Sequence, residues 1–505
     1  MYRILTASKD TYITDKIINN RYRATDANVG YAGTLDLFKL FDESTLSGST
    51  QPIELSRVLI KFDLNPLRKL TGSSLSISDS SFKCTLKLHD VYGGQTTPSN
   101  FKLIVFPLSR SFDEGIGMDI ISFADLDSCN WVTSSVSGDS ALGWFLTGAN
   151  NQGLLGDDNL DIISSGNLGD GSGVSNIWQS QLFPEGSENL SIDITTIVSA
   201  TLAGQIPDQG FRISYSGSQE TNNRTYFVKR FGSRHANDPN IRPKLLVSYD
   251  DSVIDHHKSF FFNLTGSLFL NNYHRGNPSN ILSGSAATKV SGNNSLVLKL
   301  MSGSYTGSFS GSQHKIGSNF ITGVYSSTFA ISEFASSLRT EIVNAASCTF
   351  KEIWGSADGT VGYLTSSMII NQVQRSSFSN VTKRLYVNIT NMKSSYKLVD
   401  MMRFRVFAKD LGQPVKAVKV PISMPSKIFT KMYYQVRDTQ SNKVMVPFET
   451  QSNGTRLSTD IDGMYFDFYM DSLVIGRTYT FDFMIDDMGL QQVFTNVPAQ
   501  FKLIK

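Results

Sequence analysis

The chain has 505 residues, of which 40% are hydrophobic and only 18% are charged, with a formal net charge of +2. That length is enough for about two to four domains of ~100–200 residues each. The near-zero net charge and the lack of a long basic run argue against nucleic-acid binding, which needs clustered Lys and Arg. The low charge content favours a turn-rich β protein with neutral surfaces.

The cysteines and the apolar runs indicate the cellular compartment in which the chain is made. Cys84, Cys129 and Cys348 are far apart and odd in number, so they predict neither a disulfide framework nor a cysteine zinc site. The N-terminus has no signal-peptide core, and no apolar run is long enough to span a membrane. We therefore expect a protein made in the cytoplasm without export and without membrane insertion.

The first predicted domain spans residues 1–251, and its clearest strand is Arg57–Leu64. Side chains of a strand point alternately to two faces. We expect positions 58, 60, 62 and 64 to face a core and positions 57, 59, 61 and 63 to be mostly wet. Further along, a strand at Leu190–Thr195 should run into a short helix.

A Gly/Asp/Ser-rich stretch, Leu154–Asn176, interrupts this domain and is expected to be a mobile insertion. Its glycines at 169, 171 and 173 resemble the spacing of a phosphate loop. No strand pattern leads into them and no helix pattern follows, so we do not predict phosphate binding.

Two further β domains are predicted, at residues 252–384 and 385–505. The second has Gly-Ser turns between large apolar residues, which is typical of hairpins. In the third, Leu473, Gly476 and Tyr479 resemble the tyrosine corner of immunoglobulin-like sandwiches. The predicted fold class is all-β, with three β-sandwich domains in series and an Ig-like or fibronectin-like sandwich at the C-terminus.

Six motifs in order give the first domain a family resemblance, to the DNRLRE family. They are Asp10-Thr11-Tyr12-Ile13, Asn28-x-Gly30, Arg57–Leu64 with Phe62 and Asp63, Trp131, Ile192–Thr195 with Asp193, and Arg242-Pro243 leading into Lys244–Tyr249. The resemblance implies a β jelly roll, like a carbohydrate-binding module, with long insertions after Leu37 and Gly153. Such domains occur in cell-surface proteins, beside polysaccharide-degrading enzymes, and in virion proteins of tailed phages. The second domain is similar to structural proteins of marine contractile-tailed phages.

Few residues of the chain are candidates for a metal-binding, ligand-binding or catalytic site. Asp157, Asp158 and Asp161 could hold calcium, although a solvated acidic turn is the commoner structure. Trp178 is the candidate surface platform for a sugar ring, whereas Trp131 is expected in the core. The carboxylates of the family motifs, Asp10, Asp63 and Asp193, are expected to form hydrogen bonds with the backbone or with a neighbouring Arg. No nucleophile elbow, Walker loop or zinc-protease motif occurs, so we predict neither a catalytic site nor a cofactor.

These observations predict a non-enzymatic virion structural protein of a tailed bacteriophage, in the tail, baseplate or neck. It would be made in the host cytoplasm and would act by multicopy assembly with itself and with other virion proteins. The alternative is a carbohydrate-binding adhesin that recognises host-surface glycan through the N-terminal jelly roll. A glycan-degrading enzyme would require two close carboxylates in a cleft.

Overall fold

A computed structural model describes residues 1–43, 53–123, 128–169, 171, 173–257, 259–284, 287–345, 347–372, 384–412, 426–487, 489–495 and 499–505. Nearly all of its regular structure is β, so the predicted all-β fold class is confirmed. None of the helices in these ranges is long and apolar enough to cross a membrane.

Backbone contacts divide the chain into two compact units. The N-terminal unit comprises Arg3–Lys69 and Phe82–Val247, and the C-terminal unit comprises Met1–Tyr2, Leu70–Ser81 and Ser248–Lys505. The finer division into three domains stays a prediction.

In its described ranges, the N-terminal unit contains mostly antiparallel strands and three short helices. The strands are β1 (Tyr2–Thr14), β2 (Ile17–Ile18), β3 (Tyr22–Arg23), β4 (Thr34–Phe41), β5 (Ile53–Phe62), β6 (Lys83–Leu88), β7 (Phe101–Pro107), β8 (Thr133–Ser137), β9 (Ser140–Gly143), β10 (Gln152–Leu154), β11 (Ile162–Asn167), β12 (Val174–Asn176), β13 (Gln179–Phe183), β14 (Leu190–Asp193), β15 (Phe211–Tyr215), β16 (Tyr226–Gly232) and β17 (Lys244–Ser248). The helices are α1 (Asn65–Arg68), α2 (Thr195–Leu202) and α3 (Gly217–Thr221). The strand β14 and the helix α2 lie where the sequence predicts them.

The main sheet of this unit runs in the order β13-β7-β15-β5-β1-β17-β6-β14, and β4 joins β5 to β16. Strand β5 pairs with β1 along one side and with β4 and β15 along the other, all antiparallel. Strand β1 has a register shift between Ala7 and Lys9, and the Ala7 N–H donates to the Pro243 carbonyl. A register shift of this kind bends a strand locally, and such bends let one strand pass between two packed groups of strands.

The prediction of one wet face for β5 is wrong at its centre. Arg57 and Leu59 are both buried, whereas Lys61 and Asp63 do reach the surface. Leu59 packs in a second cluster with Phe106 and Trp144, on the face that was expected to be wet. A central strand is covered on both faces when a connecting segment folds over it, and an alternating pattern cannot reveal such a cover.

The described residues of the stretch Leu154–Asn176, which are all but 170 and 172, also contain strands where a mobile insertion was expected. It contains β11, which pairs with β10 in parallel and with β12 antiparallel. Ile162 is fully buried and joins the same second cluster as Leu59. The buried residues Ile162 and Ile163 of β11 anchor a segment whose composition otherwise indicates a loop.

The C-terminal unit carries the remaining elements. Its strands are β18 (Phe260–Phe261), β19 (Gly266–Asn271), β20 (Tyr273–His274), β21 (Asn277–Pro278), β22 (Leu282–Ser283), β23 (Thr288–Lys289), β24 (Leu296–Ser302), β25 (Tyr305–Ile316), β26 (Asn319–Phe329), β27 (Ser347–Ser356), β28 (Gly362–Asn371), β29 (Leu385–Ile389), β30 (Ser395–Lys397), β31 (Met401–Asp410), β32 (Met432–Asp438), β33 (Val444–Val446), β34 (Ser458–Asp460), β35 (Gly463–Tyr469), β36 (Thr478–Asp487), β37 (Leu490–Phe494) and β38 (Gln500–Ile504). Its helix is α4 (Arg339–Asn344), with 3₁₀ turns at Ser336–Leu338 and Met470–Ser472.

Seven of the described strands between residues 260 and 371 form one sheet in the order β18-β28-β27-β24-β25-β26-β19, and β20-β21 and β22-β23 form separate two-stranded sheets. One face carries the core, because alternate residues of β24 and β27 are buried. The Phe260 ring lies 5.0 Å from the Phe329 ring and within 3 Å of the position where a Cβ on Gly266 would be. Phe260 is on the edge strand β18, whereas Gly266 is on the opposite edge strand β19 and Phe329 is on its neighbour β26. The sheet therefore curls until its two edges approach one another.

Residues 385–505 form a sandwich of two sheets. One has the order β29-β31-β35-β34, and the other has the order β30-β38-β36-β32-β33 with β37 paired to β36. Aromatic rings join the two layers: Phe404 lies 5.0 Å from Phe481, and Tyr434 stacks at 4.3 Å on Phe466. Such ring pairs add to the stability that burial alone provides.

The segment before β36 has the geometry of a tyrosine corner. The Tyr479 hydroxyl accepts from the Val474 N–H and donates to the Val474 carbonyl, both at 2.9 Å. Gly476 has a φ of +86°, a conformation that glycine adopts without strain, and its N–H donates to Leu503. The hydroxyl thereby fixes the turn that feeds β36 into the core.

We expect Tyr479→Phe to lower the free energy of unfolding by about 1–3 kcal/mol, because the N–H and carbonyl of Val474 lose their partner. Tyr363→Phe is the matched control, since the Tyr363 hydroxyl is buried and has no partner among the described residues. That control should be neutral within about 0.5 kcal/mol. Urea unfolding measures both, and equal effects would show that the corner does not stabilise the sandwich.

Candidate functional site

A buried asparagine organises one end of the N-terminal unit. Asn28 donates from Nδ2 to the carbonyls of Glu114 and Cys129, at 2.9 and 2.7 Å. Its Oδ1 accepts from the N–H groups of Gly30 and Gly117, at 3.2 and 2.8 Å. The motif Asn28-x-Gly30 therefore fixes a loop that arrives almost 90 residues later in the chain.

That loop brings Glu114 into a cluster of charged groups with Asp10. Glu114 accepts two hydrogen bonds from Arg234, at 2.5 and 2.8 Å, and a third from the Asp10 N–H. Asp10 Oδ2 accepts from the Arg234 N–H at 2.6 Å. His235 Nε2 lies 3.5 Å from Glu114, and its ring lies 4.2 Å from the Tyr31 ring.

Asp10 is nearly inaccessible, and its Oδ1 has no partner among the described residues. Burial raises the pKa of Asp10 to about 7, and Glu114 acts in the same direction. The folded state therefore holds this proton to a higher pH than the unfolded chain. The stability that protonated Asp10 contributes is complete below about pH 4 and is lost as the pH rises towards 7.

We expect Asp10→Asn to remove this pH dependence. The free energy of unfolding of the variant, relative to that of the wild type, should therefore rise by roughly 2 kcal/mol between about pH 4 and pH 7. Denaturant unfolding across that range measures the difference. Asp139→Asn, at an exposed position, is the control and should track the wild type. Parallel pH profiles for Asp10→Asn and the wild type would contradict the assignment.

Buried basic side chains hold other loops of this unit. Lys229 Nζ is inaccessible and donates to Asp90 and to the carbonyls of Gly186 and Glu188, at 2.6–2.8 Å. Lys39 in the same way donates to the carbonyl of Arg224. Local sequence did not reveal these roles, because a lysine in an alternating strand usually marks the wet face.

The described residues do not bring the three candidate calcium ligands together as a metal site. Asp161 is fully buried, and its carboxylate accepts three backbone N–H groups, from Phe145, Leu146 and Asn151, at 2.9–3.0 Å. Asp157 bonds the Leu154 N–H, and Asp158 is exposed. The described ranges contain no group of three or more His, Cys, Asp or Glu side chains placed to hold a metal ion. Asp161 is thus an anchor for the loop 145–151.

The tryptophans offer little surface for a sugar. Trp131, Trp144 and Trp354 are buried. Trp178, the predicted ligand platform, is half-buried and packs against the second cluster, with its ring 6.5 Å from that of Phe106. The geometry does not present it as a flat exposed face.

The other predicted structural residues bond locally. Asp63 accepts from the Asn65 N–H, and Asp193 accepts from the N–H and hydroxyl of Thr195 at the start of α2. Arg242 donates to the Ala236 carbonyl. Phe62 and Leu473 are buried in their cores.

Uncharged edge strands are the surface feature most relevant to partners. Strand β28 pairs with β27 along its length but with β18 only at Ile370 and Asn371. Within the described ranges, β29 pairs only with β31, and β37 pairs only with β36. None of the three contains a charged residue. Their outward apolar side chains are 42% to 54% exposed: Leu364, Ile369, Tyr386, Leu490 and Val493.

Comparisons with known proteins add little to this geometry. No family model matches the chain, and no curated protein matches it. Among solved structures, the chain is similar to the N-terminal Ig1-2 module of the Drosophila receptor protein tyrosine phosphatase DLAR, at 7% identity and a TM-score of 0.14, over 48% of this chain and 89% of that one. It is also similar to a Corynebacterium diphtheriae protein described as membrane anchored, at 10% identity and a TM-score of 0.16, over 100% of this chain and 97% of that one. Scores this low carry no argument about function, and the fold class rests on the strands themselves.

Proposed function

We propose that this chain is a non-enzymatic structural protein of a tailed-phage virion, in the tail, baseplate or neck, and that it acts by multicopy assembly. The observation that carries the proposal is the set of uncharged edge strands β28, β29 and β37. Proteins that remain monomeric usually blunt such edges with lysine, proline or bulges. An unprotected edge can take a further strand from a neighbouring subunit.

The composition of these edges suits pairing between identical copies. In a symmetric assembly, each residue of an interface meets the same surface of another copy, so a charge near the axis would face its own kind. Edges without charges avoid that repulsion, and burying their exposed apolar side chains favours association. The resemblance of the first domain to DNRLRE domains of phage virions supports the location of the assembly.

The adhesin alternative has weaker support. A sugar platform needs an exposed aromatic face, and the tryptophan predicted for that role, Trp178, is half-buried against Phe106. Host-glycan binding by the N-terminal unit is therefore the second reading, to be tested if the chain does not assemble.

We expect a lysine on an edge strand to weaken self-association by at least about tenfold, because identical positive charges would face one another. Val493→Lys and Ile369→Lys test two edges separately. Phe334→Lys is the matched control, because Phe334 is 79% exposed but lies outside the strands. Sedimentation velocity over a concentration series should show assembly of the wild type and the control and its loss in at least one edge variant. A wild-type chain that stays monomeric throughout would contradict self-assembly.

A further inference from the structure

The C-terminal unit has a cleft of about 560 Å³, which is lined by strands of the curled sheet and by residues of the sandwich that follows it. Leu364 and Ser366 of β28 line one side, and Leu270 and Asn271 of β19, at the opposite edge of the sheet, line another. Tyr273 lies at the rim and is 58% exposed. A volume of this size is typical of sites that bind small molecules or single side chains.

Glu352, on β27, lines the cleft and is only 2% exposed. Its Oε1 accepts from Trp354 Nε1 at 2.6 Å, whereas its Oε2 has no partner among the described residues. A buried carboxylate oxygen without a donor is costly, and it is most readily explained by a group that binds there. Burial raises the pKa of Glu352, because the charged carboxylate is removed from water.

The charges around Glu352 leave an acidic excess at its end of the cleft. Asp255 acts on Glu352 as a like charge and His257 as an opposing one, and His257 Nδ1 lies 3.7 Å from Asp255. Two of the three arginines that line the cleft pair with carboxylates, and the third, Arg456, donates to the Thr430 carbonyl at 2.9 Å. Arg403 donates twice to Asp467 at 2.8 Å, and Arg405 donates to Asp460 at 2.6 Å.

We propose that this cleft binds an organic ammonium group, with Glu352 as its counter-ion. A free polyamine and a lysine side chain of a partner protein share this chemistry. An ammonium has three donors, one of which meets Oε2, and it carries the charge that the acidic end lacks. Tyr273, which also lines the cleft, offers an exposed aromatic face that attracts such cations.

Calorimetric titration of the full chain tests the site with cadaverine, spermidine and Nα-acetyl-lysine amide, whose side-chain ammonium is free, at constant ionic strength. The diol analogue of cadaverine is the uncharged control and should not bind. We expect Glu352→Gln to weaken ammonium binding by at least about tenfold, which corresponds to ~1.4 kcal/mol. Glu341→Gln removes the same charge at an exposed position of α4 and should bind like the wild type.

The outcomes separate the two sources of the ligand. Binding of the polyamines alone supports a free amine, binding of the lysine amide alone supports a partner's side chain, and binding of both supports the shared chemistry. Thermal unfolding checks that Glu352→Gln is folded, and Tyr273→Ala, at the exposed rim, supplies a second variant with a several-fold loss expected. The proposal is overturned if none of the amines binds, or if Glu352→Gln and Tyr273→Ala both bind them as the wild type does.

Discussion

Replacing Gly30 with alanine is expected to lower the free energy of unfolding of the N-terminal unit by about 4 kcal/mol. A Cβ at this position would lie 1.8 Å from the Glu114 carbonyl oxygen and 2.5 Å from its carbon. Neither atom can move easily, because Asn28 holds that carbonyl and the loop that follows it. The new methyl group must therefore disrupt the asparagine network or push the loop away.

Gly33→Ala is the control for this prediction. Gly33 is three residues away and exposed, and a Cβ there meets no heavy atom within 4 Å. We expect it to change stability by less than about 0.5 kcal/mol. Urea unfolding followed by tryptophan fluorescence compares the two variants. Equal stabilities would mean that Asn28 and Gly30 do not fix the loop.

Arg57→Met is expected to cost about 3–5 kcal/mol, because it leaves the carboxylate of Glu220 buried without its counter-charge. Arg57 donates to both carboxylate oxygens of Glu220, at 3.0 and 2.7 Å, and to the Gly148 carbonyl at 2.7 Å. The side chains of Arg57 and Glu220 are only 3% and 11% exposed. Solvent therefore screens this pair weakly.

The pKa of Glu220 determines how the cost of Arg57→Met depends on pH. Burial opposes ionisation of Glu220, but Arg57 and Arg212 outweigh it and hold the pKa of Glu220 below its usual value. The stability that the ionised carboxylate contributes is present above its unfolded pKa and is lost as the pH falls through the folded one. The difference between Arg57→Met and the wild type should therefore shrink in acid.

The double variant Arg57→Met, Glu220→Met distinguishes a stranded charge from lost packing. Replacing both partners of a buried pair with apolar groups is often nearly neutral. We expect the double variant to recover most of the stability lost in Arg57→Met, as measured by urea unfolding at neutral pH. A double variant as unstable as Arg57→Met would assign the loss to the Gly148 bond and to packing on Trp131 instead.

Features that depend on near neighbours could be predicted from the sequence. The alternation in β5, the helix α2 and the corner around Tyr479 all join residues a few positions apart. Pairings across the chain could not be predicted in this way. The motif at Asp10 indicated a bond to backbone or to an arginine, but no local pattern identified Arg234, 224 residues away, as the partner.

The missed burial has the same cause. Arg57 is charged and lies on the face of β5 that alternation assigns to water, yet a loop near Gly148 covers it. The acidic turn at Asp161 has the composition of a calcium loop, but its carboxylate already bonds backbone N–H groups. Composition states which groups are present, and only the fold determines what satisfies them.

Immunogold electron microscopy of washed, intact particles tests whether this chain assembles into a virion. The antibody would be raised against residues 252–505, which carry the uncharged edge strands. If the chain assembles in the virion, we expect label at one fixed position on the tail, baseplate or neck, in several copies per particle. Particles that carry none of this chain would contradict it.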